Sequence, residues 1–184
     1  MMVESFPHIY EYTVHHPIWK TSMKEEFSLL QKNDTWELVD LPPRRKLVQC
    51  KWVFKTNFSA DGSNLKYKEI LVAKGYSQVH GIDYNETFAS VAKMDSIRLA
   101  LAIAASKQWE LNHMDVKCAF INGDITEEIY MEKTQGLVSH PSFVCMLNKS
   151  LYGLKQSPRA WYAKIDGFLV SLVLFDVSMI LMSI

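Results

Sequence analysis

Val48-Gln49-Cys50-Lys51-Trp52-Val53-Phe54-Lys55 and Leu65-Lys66-Tyr67-Lys68-Glu69-Ile70-Leu71-Val72-Ala73 flank an Asp61-Gly62 pair. In the first run Val48, Cys50, Trp52 and Phe54 alternate with Gln49, Lys51, Val53 and Lys55, the period of two of a strand with one covered face. Asp-Gly is a common hairpin turn because glycine takes positive φ without a Cβ clash. The return run sets Leu65, Tyr67 and Glu69 on one face and Lys66, Lys68 and Ile70 on the other. The spacing predicts a two-stranded projection with lysines on both arms.

Helical spacing surrounds it. After Pro17, Trp19, Met23, Phe27 and Leu30 recur at steps of three and four, with proline near the first turn, and Asn33-Asp34 ends that helix. Thr35 to Val39 reads as a short strand closed by Pro42-Pro43. Asp95 or Ser96 caps a helix to about Lys107 through Ile97, Leu101 and Ala104. Leu111–Val116, Glu128–Met131 and Phe143–Leu147 read as strands. Ser157 caps a last helix, with Pro158 at its first position and Trp161, Ile165 and Phe168 on one face. Helices alternating with hairpins and single strands make the class α+β.

The chain has 184 residues, 48% hydrophobic and 22% charged, which is enough apolar material for a real core and excludes disorder. Cys50, Cys118 and Cys145 are few and lack metal-ligand spacing, so they read as reduced, buried thiols in an intracellular setting. The five tryptophans, Trp19, Trp36, Trp52, Trp109 and Trp161, read as core anchors. No secretory signal opens the chain. The apolar stretch from Phe168 to Ile184 is short for a membrane span and is broken by Asp176, so no membrane is expected. The formal net charge is zero, but Pro42–Gly75 carries a net +6. That segregation fits a phosphate-handling surface or a solvated strand face.

Two stretches carry candidate chemistry. In Leu111-Asn112-His113-Met114-Asp115-Val116-Lys117-Cys118-Ala119-Phe120 an aspartate falls within an apolar strand. There an unpaired carboxylate costs several kcal/mol and calls for a divalent metal, a lysine or water. In Leu151-Tyr152-Gly153-Leu154-Lys155-Gln156-Ser157-Pro158-Arg159-Ala160-Trp161, glycine permits close backbone approach, and cations lie beside a helix start that would suit an anion. An ordinary turn and capped helix fits these residues equally.

Trp19–Pro42, Lys51–Lys55, Lys68–Gln78, Gly81–Phe88, Met114–Gly123 and Leu151–Trp161 resemble the reverse transcriptase domain of copia-type long-terminal-repeat retrotransposon polyproteins, from about Pro17 to Leu172. The resemblance implies an incomplete right-hand polymerase fold of fingers and palm. Its divisions are an N-terminal extension (1–16), a fingers-like region holding the basic hairpin (17–110), a partial palm (111–172) and a tail (173–184). It implies that Asp115 is the first catalytic carboxylate, binding Mg²⁺ with the main-chain carbonyl of Val116. It makes Phe120 the aromatic gate that excludes a ribose 2′-hydroxyl. Lys68, Lys74, Gly153 and Gln156 become nucleotide contacts. The implied partners are an RNA or DNA template-primer, deoxynucleoside triphosphates and the remainder of a polyprotein.

The chain departs from the family pattern in three places. It contains no Asp-Asp pair, although the family carries a Tyr-Val-Asp-Asp hairpin downstream of the Leu151 block. Ile70 stands where the family has an arginine; a charge-assisted phosphate contact is worth roughly 1.5–3 kcal/mol. After Leu172 the reading becomes apolar. Restoring one base within the Val173 codon permits Gly-Phe and forces an aspartate out of Met179-Ile180, so a one-base deletion near Leu172 is the expected origin of the tail. The expectation is therefore a fragment of an RNA-directed DNA polymerase, inactive as a lone chain. The alternatives are a non-catalytic nucleic-acid-binding remnant or a non-functional pseudogene product.

Overall fold

The structure is a computed structural model, and it describes residues 16–58, 65–89, 92–134, 142–173 and 181–182. In chain order the elements are α1 (Pro17–Lys32), β1 (Trp36–Asp40), β2 (Cys50–Phe58), β3 (Leu65–Ala73), α2 (Met94–Lys107), β4 (His113–Met114), β5 (Tyr130–Met131), β6 (Phe143–Leu147), α3 (Ser157–Val173) and β7 (Leu181–Met182). The class is α+β.

Proline at the first turn starts α1, where its missing N–H costs nothing. The helix stops at Asn33, whose backbone and side-chain amides both donate to the Leu29 carbonyl, at 3.1 and 2.8 Å. Asp34 then turns the chain with φ +49°. Trp19 anchors α1 to the hairpin. It is 4% exposed and sits edge-on to Phe54 at 5.3 Å and to Tyr67 at 4.8 Å, the arrangement favoured by the ring quadrupoles.

β2 and β3 pair antiparallel from Cys50↔Ala73 to Phe58↔Leu65. Alternation holds as the sequence implies: Tyr67, Glu69 and Leu71 face α1 and the core, while Lys51, Val53, Lys55 and Lys68 are exposed on the other face. The Asp61-Gly62 turn lies outside the described residues. A second sheet has the order β1-β6-β5, antiparallel throughout, with Trp36 opposite Leu147 and Met131 opposite Cys145. The base of the hairpin joins it: the Val48 N–H donates to the Tyr130 carbonyl at 2.8 Å, and the Glu132 N–H donates back to the Val48 carbonyl at 3.0 Å. The core between them contains Leu30, Val48, Leu71, Ile129, Met131, Cys145 and Leu151, drawn from both sides of residue 110.

Several expectations are corrected. The strand expected over Leu111–Val116 shortens to His113–Met114, and that over Glu128–Met131 to Tyr130–Met131. The helix expected from Asp95 or Ser96 starts at Met94, with Lys93 before it and no side-chain cap. Ser157 does not cap α3. Its hydroxyl donates to the Leu151 carbonyl at 2.6 Å, and the first helical bond runs from the Ala160 N–H to the Gln156 carbonyl. Trp109 is 42% exposed, not a core anchor. The thiols follow the expected burial in part: Cys145 is buried and Cys50 and Cys118 partly so, and burial pushes Cys145 up to about 11 and Cys50 up to about 12. Among the described residues no helix is long and apolar enough to cross a membrane.

Candidate functional site

Asp115 leaves β4 directly into solvent. Both it and Val116 are exposed, so the carboxylate carries no large desolvation penalty and needs no ion to exist there. This corrects the view of an aspartate trapped within an apolar strand. The chain then reverses at Cys118, which has φ +54°, and enters a 3₁₀ turn over Ala119–Asn122. That turn is pinned by Ser150, whose hydroxyl donates to the Phe120 carbonyl, and by the Asn122 amide, which donates to the Cys118 carbonyl at 3.2 Å. Phe120 is thereby directed against Tyr152, with ring centroids 4.7 Å apart at 65°.

Tyr152 belongs to a turn that crosses the end of β3 at very close range. The Ala73 N–H donates to the Tyr152 carbonyl at 2.7 Å. Gly153 has φ +89°, and a Cβ there would lie 2.1 Å from the Ala73 carbonyl oxygen. A Cβ on Gly75 would lie 2.0 Å from the Gly153 carbonyl oxygen. The two glycines therefore let two backbones touch where no other residue would fit.

Charges converge on the same place. Burial pushes the Tyr152 hydroxyl up, and the neighbouring acidic groups Cys118, Glu26 and Asp115 push the same way. Burial also pushes Glu26 up, against the pull of Lys68 and a hydrogen bond from the Leu71 backbone. Lys68 lowers the Cys118 thiol too, though burial leaves it raised overall. Asp115 and Phe120 thus both act on Tyr152, next to Gly153, and Lys68 acts on Glu26 and Cys118, whereas Lys74 lies at the base of the hairpin, donating to Gln49 Oε1 at 3.3 Å.

Gln156 is placed differently. It is 3% exposed, its Oε1 accepts from Gln78 Nε2 at 3.0 Å, and its Nε2 donates to the Asp83 carbonyl at 2.9 Å. Gln78 Oε1 in turn accepts the Lys155 N–H at 2.8 Å, and Asp83 Oδ2 accepts the Val79 N–H at 2.7 Å. This buried amide network braces the Gly153 turn from behind. Tyr152, Glu26 and Gln78 were not among the expected site residues. Tyr152 was visible as the neighbour of Gly153, but nothing local marks Gln78, whose partners lie more than seventy residues away. Gln78→Ala would strand the buried amide oxygen of Gln156 and the part-buried N–H of Lys155. It is expected to lower stability by about 2–3 kcal/mol in urea unfolding, and an unchanged midpoint would show that the network carries no load.

Among the described residues no three of His, Cys, Asp and Glu converge on a metal position. Asp115 and the Val116 carbonyl are hard oxygen donors, right in kind for Mg²⁺ but too few to hold it without phosphate and water oxygens.

Comparison with known proteins fixes the class. The family described as Reverse transcriptase (RNA-dependent DNA polymerase) matches residues 33–181, and the chain belongs to it. The "Retrovirus-related Pol polyprotein from transposon TNT 1-94" of Nicotiana tabacum is 50% identical over 152 residues, covering 82% of this chain and 11% of the relative. The corresponding polyprotein from transposon RE1 of Arabidopsis thaliana is 42% identical over 157 residues, covering 84% of this chain and 11% of its own length. These relatives mark the domain as copia-type. A mitochondrial protein of Arabidopsis thaliana is 42% identical over 88 residues, 48% of this chain and 52% of its own. No solved structure matches.

Proposed function

We propose that this chain is the fingers and partial palm of a copia-type RNA-directed DNA polymerase and supplies one of its catalytic carboxylates, Asp115. The observation that carries the reading is the Phe120–Tyr152 ring pair at the Gly153 crossing, five residues after an exposed Asp115 whose charge acts on Tyr152. Asp115 and the Val116 carbonyl would hold Mg²⁺ together with substrate phosphates. The bound ion supplies Lewis-acid stabilisation of charge at phosphorus and a lowered pKa of the primer hydroxyl. Phe120, held edge-on by Tyr152, would lie under the sugar and exclude a 2′-hydroxyl. Lys68 would neutralise phosphate charge. Gln156 would act at one remove, holding the turn.

One carboxylate does not complete a two-metal site, and the 184 residues contain no Asp-Asp pair. The test is primer extension in Mg²⁺ on an RNA template. It compares this chain with a chimera that continues it through the Tyr-Val-Asp-Asp segment of the Nicotiana relative. Extension by the chimera alone supports the reading. Extension by neither, with both folded, overturns it.

A second reading has its own observation. Lys55 and Lys68 are directly opposed across the hairpin, an unfavourable like-charge pair, and with Lys51 they take part in no ion pair among the described residues. Such a face suits polyphosphate. RNA binding by this chain should weaken steeply with salt, and Lys55→Ala should reduce the logarithmic salt slope by about 0.7. A slope that does not change would remove Lys55 from the contact.

A further inference from the structure

Among the described residues of the hairpin, the carboxylate of Glu69 faces α1 rather than solvent. It is 4% exposed, and its Oε1 is buried with no hydrogen-bond partner. An ionised carboxylate in that position leaves charge and lone pairs uncompensated. The charged groups facing it make matters worse: α1 contributes Glu25 and Glu26, both negative. β2 places Phe54 opposite, which offers no charge. Lys68, on the other face of β3, acts on Glu26 and Cys118. The remaining polar neighbour is Ser22, within hydrogen-bond reach of the carboxyl. Its single hydroxyl proton is also claimed by the Ile18 carbonyl at 3.3 Å.

A neutral acid resolves these conflicts. It has no charge to desolvate, it does not repel Glu25 and Glu26, and its own O–H can serve the Ser22 oxygen. We propose that α1 docks on β3 with Glu69 protonated, so that docking of this helix takes up a proton and is strengthened by acid. This does not rest on the polymerase reading.

Burial first, and the two glutamates after it, push the Glu69 carboxyl from 4.5 up to about 6, against Ser22 and Glu69's own N–H. A carboxyl raised in the docked state binds its proton more tightly there than when α1 is free. Docking is therefore strongest below pH 4.5, weakens as pH rises from 4.5 to about 6, and is level above that.

Amide hydrogen exchange of the whole chain, followed on a peptide covering residues 17–32 and corrected for intrinsic rates, reads this directly. Wild-type protection should rise about tenfold from pH 7.5 to pH 4.5. Glu69→Gln, a neutral isostere, should show about tenfold more protection than wild type at pH 7.5 and little gain on acidification. Glu26→Gln should retain most of the pH dependence. The proposal is overturned if wild-type protection does not change with pH, if Glu69→Gln loosens α1 at pH 7.5, or if α1 is unprotected throughout.

Discussion

Gly153→Ala is expected to abolish a normal unfolding transition, lowering stability by about 4 kcal/mol or more. Two costs act together. At φ +89° any L side chain is strained. The new methyl would also lie 2.1 Å from the Ala73 carbonyl oxygen and 2.6 Å from a Val72 methyl. The first obstacle is backbone within a strand, so relief requires moving β3 or the turn. Moving the turn pulls Tyr152 from Phe120 and strains the Gln78–Gln156 bonds. Circular dichroism in urea measures the loss, and a wild-type midpoint would show that the crossing is looser than described. Serine should behave like alanine, because the obstacle is the Cβ itself.

The largest effect on chemistry is expected from Asp115→Asn. In the chimera that carries the Tyr-Val-Asp-Asp segment, it should lower primer extension by about a thousandfold or more, since it removes an anionic metal ligand that the reaction uses throughout. Folding should be unaffected, because Asp115 is exposed and its side chain makes no ion pair among the described residues. Glu26 cannot substitute: it is bonded to the Leu71 backbone and raised by burial. A variant retaining activity within about tenfold would remove Asp115 from the reaction.

What could be read from the sequence follows physical range. The hairpin was legible because period two and paired register are local, and they set Tyr67 and Glu69 opposite the lysines as observed. Phe143–Leu147 was legible for the same reason. Leu111–Val116 was overextended because apolar composition alone suggested burial, yet Leu111, Met114 and Val116 are 40–49% exposed. Ser157 was assigned a capping role from residue type, whereas its hydroxyl is committed backward to Leu151. Gln156 was expected as a nucleotide contact on the resemblance alone, which says nothing of its packing. The approach of residues 78–83 shows its oxygen accepting from Gln78 and its nitrogen donating to Asp83. The Gly153 crossing itself was signalled only as a glycine; the carbonyl it accommodates belongs to a distant strand.

The pairing of β1 with β6 sets an order on synthesis. Trp36–Asp40 must wait for Phe143–Leu147, about a hundred residues later, or roughly 5–20 s at ribosomal speeds. During that interval β1 is a strand without its partner, while α1 and the hairpin already have one another. A nascent chain would carry its lysine-bearing arm, assembled, ahead of the sheet that later supports it. Release before β6 emerges would leave Leu38 and Val39 with unsatisfied edges open to neighbouring chains, so the vulnerable product of early termination is a folded arm on an unclosed base.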